Sequence, residues 1–415
     1  MKVPPSKSYT HRGVLLASLA EGSSRILKPL ISRDTRATIQ ACSAMGAVVA
    51  ETDSAIEVRG GRPSTPDDVI DAENSGTTLR LMTSVLSLAP EGYSIITGDR
   101  SVRKRPMQPL LDALGQLGVE AWSARPNGCA PVIVRGGGMK GGECAIRGDV
   151  SSQFVSSLLI SSPLADSDTV VKVDRAVSKP YIDATLYTAE KFGIEVGREG
   201  YSSFAVPSGQ EYSPCEFEVP GDFSSASFIV AAAALAGGRV ELKGLDASVP
   251  QGDSFILEVA RKMGVKVIVQ GGGVIVESDG KPLTGGSFSL SDFPDLLPVL
   301  SVLALKCGEE VELTGVPHAR YKETDRIAVL AEELAKVGAK VEEREDGLKI
   351  QPVQELRPAA LDAHDDHRMF MAFALVSMLR PSGITVTGVE SLDVSYPSFL
   401  QDITRLGASV RSGSG

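Results

Sequence analysis

The hydrophobic pattern of the chain is dominated by a phrase that occurs six times: an amphipathic stretch, a glycine, and a short alternating run. In RIAVLAEELAKVGAKVEE, at 326–343, apolar residues recur at helical spacing before the glycine and alternate after it. A glycine that ends a helix commonly adopts the left-handed conformation. Each phrase therefore predicts a helix, a glycine cap and a strand. The six glycines are Gly46, Gly118, Gly193, Gly264, Gly338 and Gly407.

A second recurring segment lies between these phrases and combines an apolar helix, a turn and a β-branched strand. An example is ASFIVAAAALAGGRVELKG at 226–244. A helix that is apolar on all sides must be buried. Together the two segments predict a β-α-β-α-β-β unit of about 70 residues, copied six times. Six units do not share one core comfortably, so we predict two α/β domains of three units each, with a hinge near 218–222.

Composition excludes several classes of partner and location. The 415 residues carry a net charge of −10, whereas nucleic-acid and anionic-membrane binders need a broad basic surface, so neither partner is expected. Five cysteines without a CxxC pair are typical of reduced thiols in a cytoplasm. The apolar segment 14–20 is minimal for a signal peptide and far too short for a membrane span. We predict a cytoplasmic protein.

Positively charged side chains cluster at the starts of predicted helices, where each opposes the helix dipole by roughly 0.3–1 kcal/mol. Residues that repeatedly oppose a local stability preference, such as cations at helix N-termini, are typical of functional sites. Helix-start N–H groups together with Lys and Arg bind anions, so we predict a substrate with more than one phosphate or carboxylate as the missing partner. The cations are Lys7, Arg12, Arg105, Lys179, Lys322, Arg326, His367 and Arg368.

Simpler interpretations exist for the other polar residues at these helix starts. A Ser, Asn, Thr or Asp taken singly is explained by N-capping, worth about 1 kcal/mol, and Asp295 could cap a helix at Leu296. Glu323 fits either a surface ion pair or proton transfer beside Lys322 and Arg326, and spacing alone does not decide between them.

Three other motifs give weak signals. His364 and His367 with neighbouring aspartates are poor evidence for zinc. The GGG runs at 136–138 and 271–273 predict hairpin turns. Neither a GxSxG elbow nor a GxxxxGK[ST] loop is present, so a nucleophile-elbow hydrolase and a P-loop enzyme are not supported.

Nine motifs in one order resemble the 5-enolpyruvylshikimate-3-phosphate synthase family across nearly the whole chain. The resemblance implies two inside-out α/β domains, 1–6 plus 222–415 and 7–221, each of three repeats, with the active site in the interdomain cleft. It implies a monomer without metal or organic cofactor. The motifs are PPSKSYTHR (4–12), ENSGTTLR (73–80), RKRPM (103–107), VSSQF (150–154), SKPYID (178–183), GDFSSASF (221–228), FPD (293–295), YKETDR (321–326) and DDHRM (365–369).

The family joins the 5-hydroxyl of shikimate 3-phosphate to C2 of phosphoenolpyruvate and releases phosphate. By resemblance, Lys7 contacts both substrates and is a candidate proton donor, Asp295 accepts the hydroxyl proton, and Glu323 protonates and deprotonates C3. The implied shikimate 3-phosphate contacts are Lys7, Ser8, Arg12, Ser151, Ser152, Gln153, Ser178, Tyr181, Asp295, His318 and Lys322. The implied phosphoenolpyruvate contacts are Lys7, Asn74, Gly76, Thr77, Arg105, Gln153, Arg326, His367 and Arg368.

The sequence departs from the family pattern at three places. Val394 stands where a Lys is usual, which removes one expected phosphoenolpyruvate contact. His318 replaces a common Asn, and only six residues precede Lys7, so the first strand looks short. Two alternatives stay open: an enolpyruvyl transferase acting on UDP-N-acetylglucosamine, whose usual loop Cys is missing from 99–106, and a non-catalytic phosphometabolite-binding protein.

Overall fold

The structure is a computed structural model that describes residues 1–52, 54–380 and 383–411. It divides into two compact units. The N-terminal unit is Pro5–Pro220 with Ser248–Gly252, and the C-terminal unit is Met1–Pro4, Gly221–Ala247 and Asp253–Gly415. Whether independent domains end at the predicted limits, 1–6 plus 222–415 and 7–221, stays a prediction. The predicted turn at 381–382 and residue 412 of the sixth phrase lie outside the described residues.

The N-terminal unit contains six helices and twelve strands among its described residues. The helices are α1 (Lys7–Leu19), α2 (Arg33–Ala44), α3 (Gly76–Val85), α4 (Gln108–Gln116), α5 (Ser152–Ser161) and α6 (Lys179–Lys191). The strands are β1 (Gly22–Leu27), β2 (Val48–Glu51), β3 (Ala55–Gly60), β4 (Ile70–Asp71), β5 (Tyr93–Thr97), β6 (Ala121–Ser123), β7 (Val132–Arg135), β8 (Gly142–Arg147), β9 (Thr169–Asp174), β10 (Gly197–Glu199), β11 (Ser203–Val206) and β12 (Glu216–Glu218).

These strands form three sheets with one shared topology. Their orders are β12-β1-β3-β2, β4-β5-β7-β6 and β8-β9-β11-β10. In each sheet the first two strands are parallel and the remaining pairs are antiparallel. Strand β12, the last of this unit in chain order, completes the sheet of the first β-α-β-α-β-β copy. It pairs with β1, and Arg25 lies opposite Glu216. The β-α-β-α-β-β unit predicted from the sequence is therefore present three times here.

The C-terminal unit repeats this plan with two shorter sheets. Its helices are α7 (Phe223–Ala236), α8 (Ile256–Lys262), α9 (Leu297–Ala304), α10 (Arg326–Lys336), α11 (His367–Leu379) and α12 (Phe399–Arg405). Its strands are β13 (Gly238–Lys243), β14 (Lys266–Gln270), β15 (Gly273–Ser278), β16 (Gly286–Ser289), β17 (Val311–Thr314), β18 (Val341–Arg344), β19 (Gly347–Ile350), β20 (Ala359–Asp362) and β21 (Ile384–Thr387). The sheet orders are β13-β15-β14, β16-β17-β19-β18 and β20-β21.

Two features of this unit bear on the sequence predictions. The chain start takes the place of a first strand, because Lys2 forms a parallel bridge to Lys243 and the Val3 N–H donates to the Lys243 carbonyl at 3.0 Å. The sixth copy is incomplete in the described part of the chain, so the strand predicted after Gly407 is wrong. Residues 408–411, which follow that glycine, form no strand.

The recurring glycines end helices as predicted. Each of the six has a positive φ, between 78° and 101°, the left-handed conformation that a Cβ disfavours. The runs of three glycines behave differently from each other. Gly271 and Gly272 form the hairpin turn between β14 and β15, whereas 136–138 connects β7 to β8, strands of two different sheets. The hairpin predicted at 136–138 is therefore wrong.

The apolar helices form the centre of each unit. In the N-terminal unit α1, α3 and α5 are buried along most of their length, and α7, α9 and α11 are buried in the same way in the C-terminal unit. Hydroxyls join α3 to α5: Ser84 Oγ lies 2.7 Å from both Ser157 Oγ and Ser161 Oγ. None of the described helices is long and apolar enough to cross a membrane.

Gly347 is expected to be the least replaceable glycine of the β17–β19 pair. A Cβ at this position would lie 1.9 Å from the backbone carbonyl oxygen of Leu313, which cannot move without breaking the sheet. We expect Gly347→Ala to destabilise the protein by at least about 2 kcal/mol. Gly115 in α4 is the control, since a Cβ there meets nothing within 4 Å and alanine is the better helix former.

Urea unfolding of both variants measures the difference. Gly115→Ala is expected to gain up to about 1 kcal/mol of unfolding free energy. Equal midpoints for Gly347→Ala and the parent protein would contradict the close approach of the two strands.

Candidate active site

The helix start that carries Lys7 is tied to α2 by a buried ion pair. Lys7 Nζ lies 2.5 Å from Asp34 Oδ2, and the Asp34 side chain is 4% exposed. Burial alone would raise the pKa of Asp34, but the positive charge of Lys7 holds it well below its usual range. Asp34 therefore stays ionised and fixes the direction of the Lys7 ammonium group.

Arg12 is buried one turn further along α1 and uses its guanidinium inside the protein. Its Nε donates to Thr185 Oγ1 at 2.8 Å, and its Nη1 and Nη2 donate to the carbonyls of Ser8 and Tyr181, each at 3.0 Å. Burial lowers the pKa of Arg12 to about 10, so the group keeps its charge at neutral pH. Arg12 thus joins α1 to the first turn of α6, the position of Tyr181.

The start of α3 lies against the loop that carries Arg105. A Cβ on Gly76 would come within 2.4 Å of Arg105 Nη1, so only glycine allows this approach. Arg105 is buried and donates from Nη2 to Ser101 Oγ at 3.1 Å. Thr77, the next residue of α3, accepts a 2.9 Å hydrogen bond from Gln153 Nε2 of α5. The starts of α3 and α5 therefore meet.

The remaining predicted residues of this unit occupy helix starts. Ser151 caps α5 and accepts from the Gln153 N–H at 3.3 Å, and Ser152 is the first residue of that helix. Ser178 precedes α6 with a φ of 52°, an uncommon conformation for a residue with a Cβ. Asn74 lies buried two residues before α3.

A buried arginine organises the predicted residues of the C-terminal unit. The Arg326 side chain is 1% exposed and binds three carboxylates. Its Nε donates to Asp366 Oδ2 at 2.7 Å, its Nη1 to Asp295 Oδ1 at 2.8 Å, and its Nη2 to Glu323 Oε2 at 2.8 Å. Burial alone would lower the pKa of Arg326, but these carboxylates raise it above its ordinary value. Carboxylates from three helix starts or turns thus converge on one cation.

Asp295 is a carboxylate that three cations contact. Besides Arg326, its Oδ2 lies 3.0 Å from Arg368 Nη2, and its Oδ1 lies 3.5 Å from Lys322 Nζ. It sits in the 3-10 turn Pro294–Leu296 ahead of α9, and Leu296 occupies the capping position. The capping interpretation of Asp295 is therefore wrong, because its carboxylate faces cations of other elements.

The two histidines predicted to bind substrate are both buried. His318 lies in the 3-10 turn Pro317–Tyr321, and His367 is the first residue of α11. His364 lies 3.2 Å from Glu333 Oε1. Across the described residues, no group of three His, Cys, Asp or Glu side chains is arranged to hold a metal ion.

The idea that the helix-start cations lack a partner in the protein is wrong for several of them. Lys7, Lys322, Arg326 and Arg368 contact carboxylates, and Arg12 contacts carbonyl and hydroxyl oxygens. The carboxylates come from elements distant in sequence, which spacing does not reveal. An anionic substrate would therefore have to compete with Asp34 and Asp295 for these cations.

Comparison with known proteins identifies the family to which this arrangement belongs. A family model for EPSP synthase (3-phosphoshikimate 1-carboxyvinyltransferase) matches residues 1–403. The chain belongs to the EPSP synthase family. Two curated relatives named 3-phosphoshikimate 1-carboxyvinyltransferase, from Methanocaldococcus jannaschii and Methanothermobacter thermautotrophicus, are 42% and 46% identical to it over 414 and 408 residues. These alignments cover 99% and 98% of this chain, and 96% and 95% of the relatives.

A solved structure supports the same assignment. EPSP synthase from Acinetobacter baumannii matches with a TM-score of 0.81 and 27% identity, over 99% of this chain and 96% of that one. The family predicted from the ordered motifs, its α/β fold class and its transferase class are confirmed. Val394, which departs from the EPSP synthase pattern, is buried at the end of the 3-10 helix Val389–Val394.

Several residues that shape the clusters were not singled out from the sequence. Asp34 and Asp366 are the carboxylates that bind Lys7 and Arg326, and Ser224 accepts a short hydrogen bond from Arg368 Nη1. Asp366 and Ser224 lie inside the motifs DDHRM and GDFSSASF, so the signal was present but assigned to capping. Asp34 had no such signal.

Asp253 is a further buried carboxyl group of the C-terminal unit. Burial, with the Asp295 charge second, raises the pKa of Asp253 to about 6 from its ordinary 3.8, against the lowering effect of Arg368. A raised carboxyl pKa stabilises the folded state fully below pH 3.8, and this contribution is lost as pH rises through 6. At roughly 1.4 kcal/mol per pKa unit, the loss is on the order of 3 kcal/mol.

Replacing Asp253 by Asn is expected to remove this pH dependence. The difference in unfolding free energy between Asp253→Asn and the parent protein should shift in favour of the variant between pH 4 and 7. Urea titrations at pH 4, 5, 6 and 7 measure it. If the two stability profiles run parallel, Asp253 titrates normally.

Proposed function

We propose that this chain transfers the carboxyvinyl group of phosphoenolpyruvate to the 5-hydroxyl of shikimate 3-phosphate and releases phosphate. Its relatives' name, 3-phosphoshikimate 1-carboxyvinyltransferase, states a carboxyvinyl transfer to a phosphoshikimate. Family membership supports the reaction. The observation that carries the chemistry is a carboxylate, Asp295, held among Arg326, Arg368 and Lys322. A base surrounded by cations suits a reaction in which an anionic substrate and an alcohol meet.

Asp295 is the proposed acceptor of the hydroxyl proton. The three cations that contact Asp295 stabilise the negative charge of its carboxylate. An anionic substrate that binds Arg326, Arg368 or Lys322 neutralises part of this charge, and Asp295 then becomes a better base. Substrate binding thus activates the group that the reaction needs.

Lys7 and Glu323 are the proposed proton carriers at C3 of phosphoenolpyruvate. In the addition step the 5-oxygen forms a bond to C2, its proton passes to Asp295, and C3 gains a proton from Lys7 or Glu323. In the elimination step C3 loses a proton to Glu323, the C2–O bond to phosphate breaks, and phosphate leaves. One proton enters and one proton leaves C3, and the hydroxyl proton that Asp295 accepted leaves with the phosphate, so the overall reaction balances.

The proposed binding assignments follow the family resemblance residue by residue. Shikimate 3-phosphate is assigned to Lys7, Ser8, Arg12, Ser151, Ser152, Gln153, Ser178, Tyr181, Asp295, His318 and Lys322. Phosphoenolpyruvate is assigned to Lys7, Asn74, Gly76, Thr77, Arg105, Gln153, Arg326, His367 and Arg368. The approach of Gly76 to Arg105 and the Thr77–Gln153 hydrogen bond support a common site for the N-terminal members of the second set.

A phosphate-release assay tests the function. Phosphoenolpyruvate is supplied with shikimate 3-phosphate, with UDP-N-acetylglucosamine, or with no acceptor, and we expect release with the first alone. Release with the nucleotide sugar would instead indicate the related transferase. Binding of shikimate 3-phosphate without any release would indicate a binding protein.

We further propose that the protein acts as a monomer in the cytoplasm. Four of its five cysteines are buried and all five are free thiols, which fits a reducing compartment. Sedimentation equilibrium checks the oligomeric state.

A further inference from the structure

A chain of buried polar side chains connects the Lys7–Asp34 pair to the N-terminus of α3. His11 Nδ1 lies 2.6 Å from Thr38 Oγ1, and Thr38 Oγ1 lies 2.7 Å from Thr78 Oγ1. Thr78 Oγ1 donates to Ser75 Oγ at 2.7 Å, and Ser75 caps α3. These hydrogen bonds link three helices, α1, α2 and α3, so the chain of side chains is a tertiary contact between elements distant in sequence.

Both ends of the chain reach residues with proposed roles. At one end, His11 Nε2 lies 3.4 Å from Asp34 Oδ1, and Asp34 holds Lys7. At the other end, Ser75 accepts from the Thr78 N–H at 3.0 Å and stands between Asn74 and Gly76. Replacing both partners of a buried hydrogen bond by apolar groups of the same shape can be nearly neutral for stability, so stability alone does not explain such a network.

The number of protons fixes the direction of the hydrogen bonds. Since Thr78 donates to Ser75, its own oxygen must accept from Thr38, and Thr38 must then accept from His11 Nδ1–H. A neutral imidazole has one N–H, so Nε2 faces Asp34 as an acceptor. Neither His11 Nε2 nor Asp34 Oδ1 has a hydrogen-bond partner among the described residues. In this tautomer Asp34 accepts no hydrogen bond from His11, and Lys7 orients the carboxylate.

We propose that His11 is a positioning residue that couples the Lys7–Asp34 pair to the start of α3 through Thr38, Thr78 and Ser75. Removing the acceptor at Thr38 releases the ring to carry its proton on Nε2. That N–H then donates to Asp34 and competes with Lys7 for the carboxylate. The consequence for catalysis rests on the proposed function, because it requires Lys7 and the start of α3 to bind phosphoenolpyruvate.

Thr38→Val tests the coupling without touching Lys7 or Asp34. We expect kcat/KM for phosphoenolpyruvate to fall about tenfold, comparable to one lost hydrogen bond, while KM for shikimate 3-phosphate changes less. Thr38→Ser restores the hydroxyl and is expected to stay within about twofold of the parent. Thr188→Val is the control, since Thr188 is fully buried and its hydroxyl donates to the Ala184 carbonyl at 2.7 Å, away from the chain.

A spectroscopic measurement tests the connection independently of activity. The protein has four histidines, so their ¹⁵N resonances can be assigned by single substitutions. We expect neutral His11 to carry its proton on Nδ1 in the parent protein and on Nε2 in Thr38→Val. The same tautomer in both would overturn the proposal, and so would equal kcat/KM for Thr38→Val and Thr188→Val in an active enzyme. A parent protein that releases no phosphate would contradict the proposed function. The tautomer measurement would still test the hydrogen-bonded connection between His11 and Thr38.

Discussion

Replacing Asp295 by Asn is expected to lower kcat for carboxyvinyl transfer by at least about 10²-fold, the low end for a lost general base. The amide has nearly the same shape but cannot accept the hydroxyl proton. Substrate binding should be kept or tightened, because Arg326, Arg368 and Lys322 lose a competing negative charge. Phosphate-release kinetics and calorimetric titration with phosphoenolpyruvate measure the two effects separately.

Asp346→Asn is the matched control for this substitution. Asp346 is a partly buried carboxylate of the same unit that accepts from the Gly315 N–H at 3.0 Å, and an amide oxygen can accept the same bond. Its kcat should stay within about twofold of the parent, because the amide oxygen keeps the hydrogen bond from Gly315. An Asp295→Asn variant that turns over within tenfold of the parent would show that Asp295 is not the proton acceptor.

Local pattern was enough to predict the repeating units, because each depends on a short stretch of chain. The glycine at the end of each amphipathic stretch has a positive φ whatever the rest of the molecule does, and Gly46 and Gly338 obey this rule alike. The predicted strand after Gly407 failed because a strand needs a partner to pair with. Glycine caps are local, whereas strand pairing is not.

Two contacts among the predicted site residues can be explained in a related way. Because the units repeat, the starts of the apolar helices are equivalent positions, and the structure does bring Thr77 to Gln153 and Gly76 to Arg105. The partners of the cations could not be predicted in the same way. Asp34 lies 27 residues from Lys7, so their 2.5 Å contact depends on how two helices pack.

Replacing Arg326 by Met is expected to destabilise the protein by about 3–5 kcal/mol, the usual result when one partner of a buried ion pair is removed. Met fills much of the space of the Arg side chain but leaves Asp295, Glu323 and Asp366 without their shared cation. Asp366 is fully buried, so water cannot solvate its carboxylate once the guanidinium is gone. Urea unfolding of the protein without ligands measures the change.

Arg239→Met provides the comparison, because it makes the same substitution in the same unit at an exposed ion pair. Arg239 Nε lies 3.0 Å from Glu277 Oε1, with the arginine side chain 59% exposed, and such pairs contribute about 1 kcal/mol or less. Equal losses for the two variants would mean that the three carboxylates tolerate each other without Arg326. The difference between the two losses of unfolding free energy therefore measures how much Arg326 stabilises the three buried carboxylates. A substrate that draws Arg326 toward itself must overcome part of that same free energy.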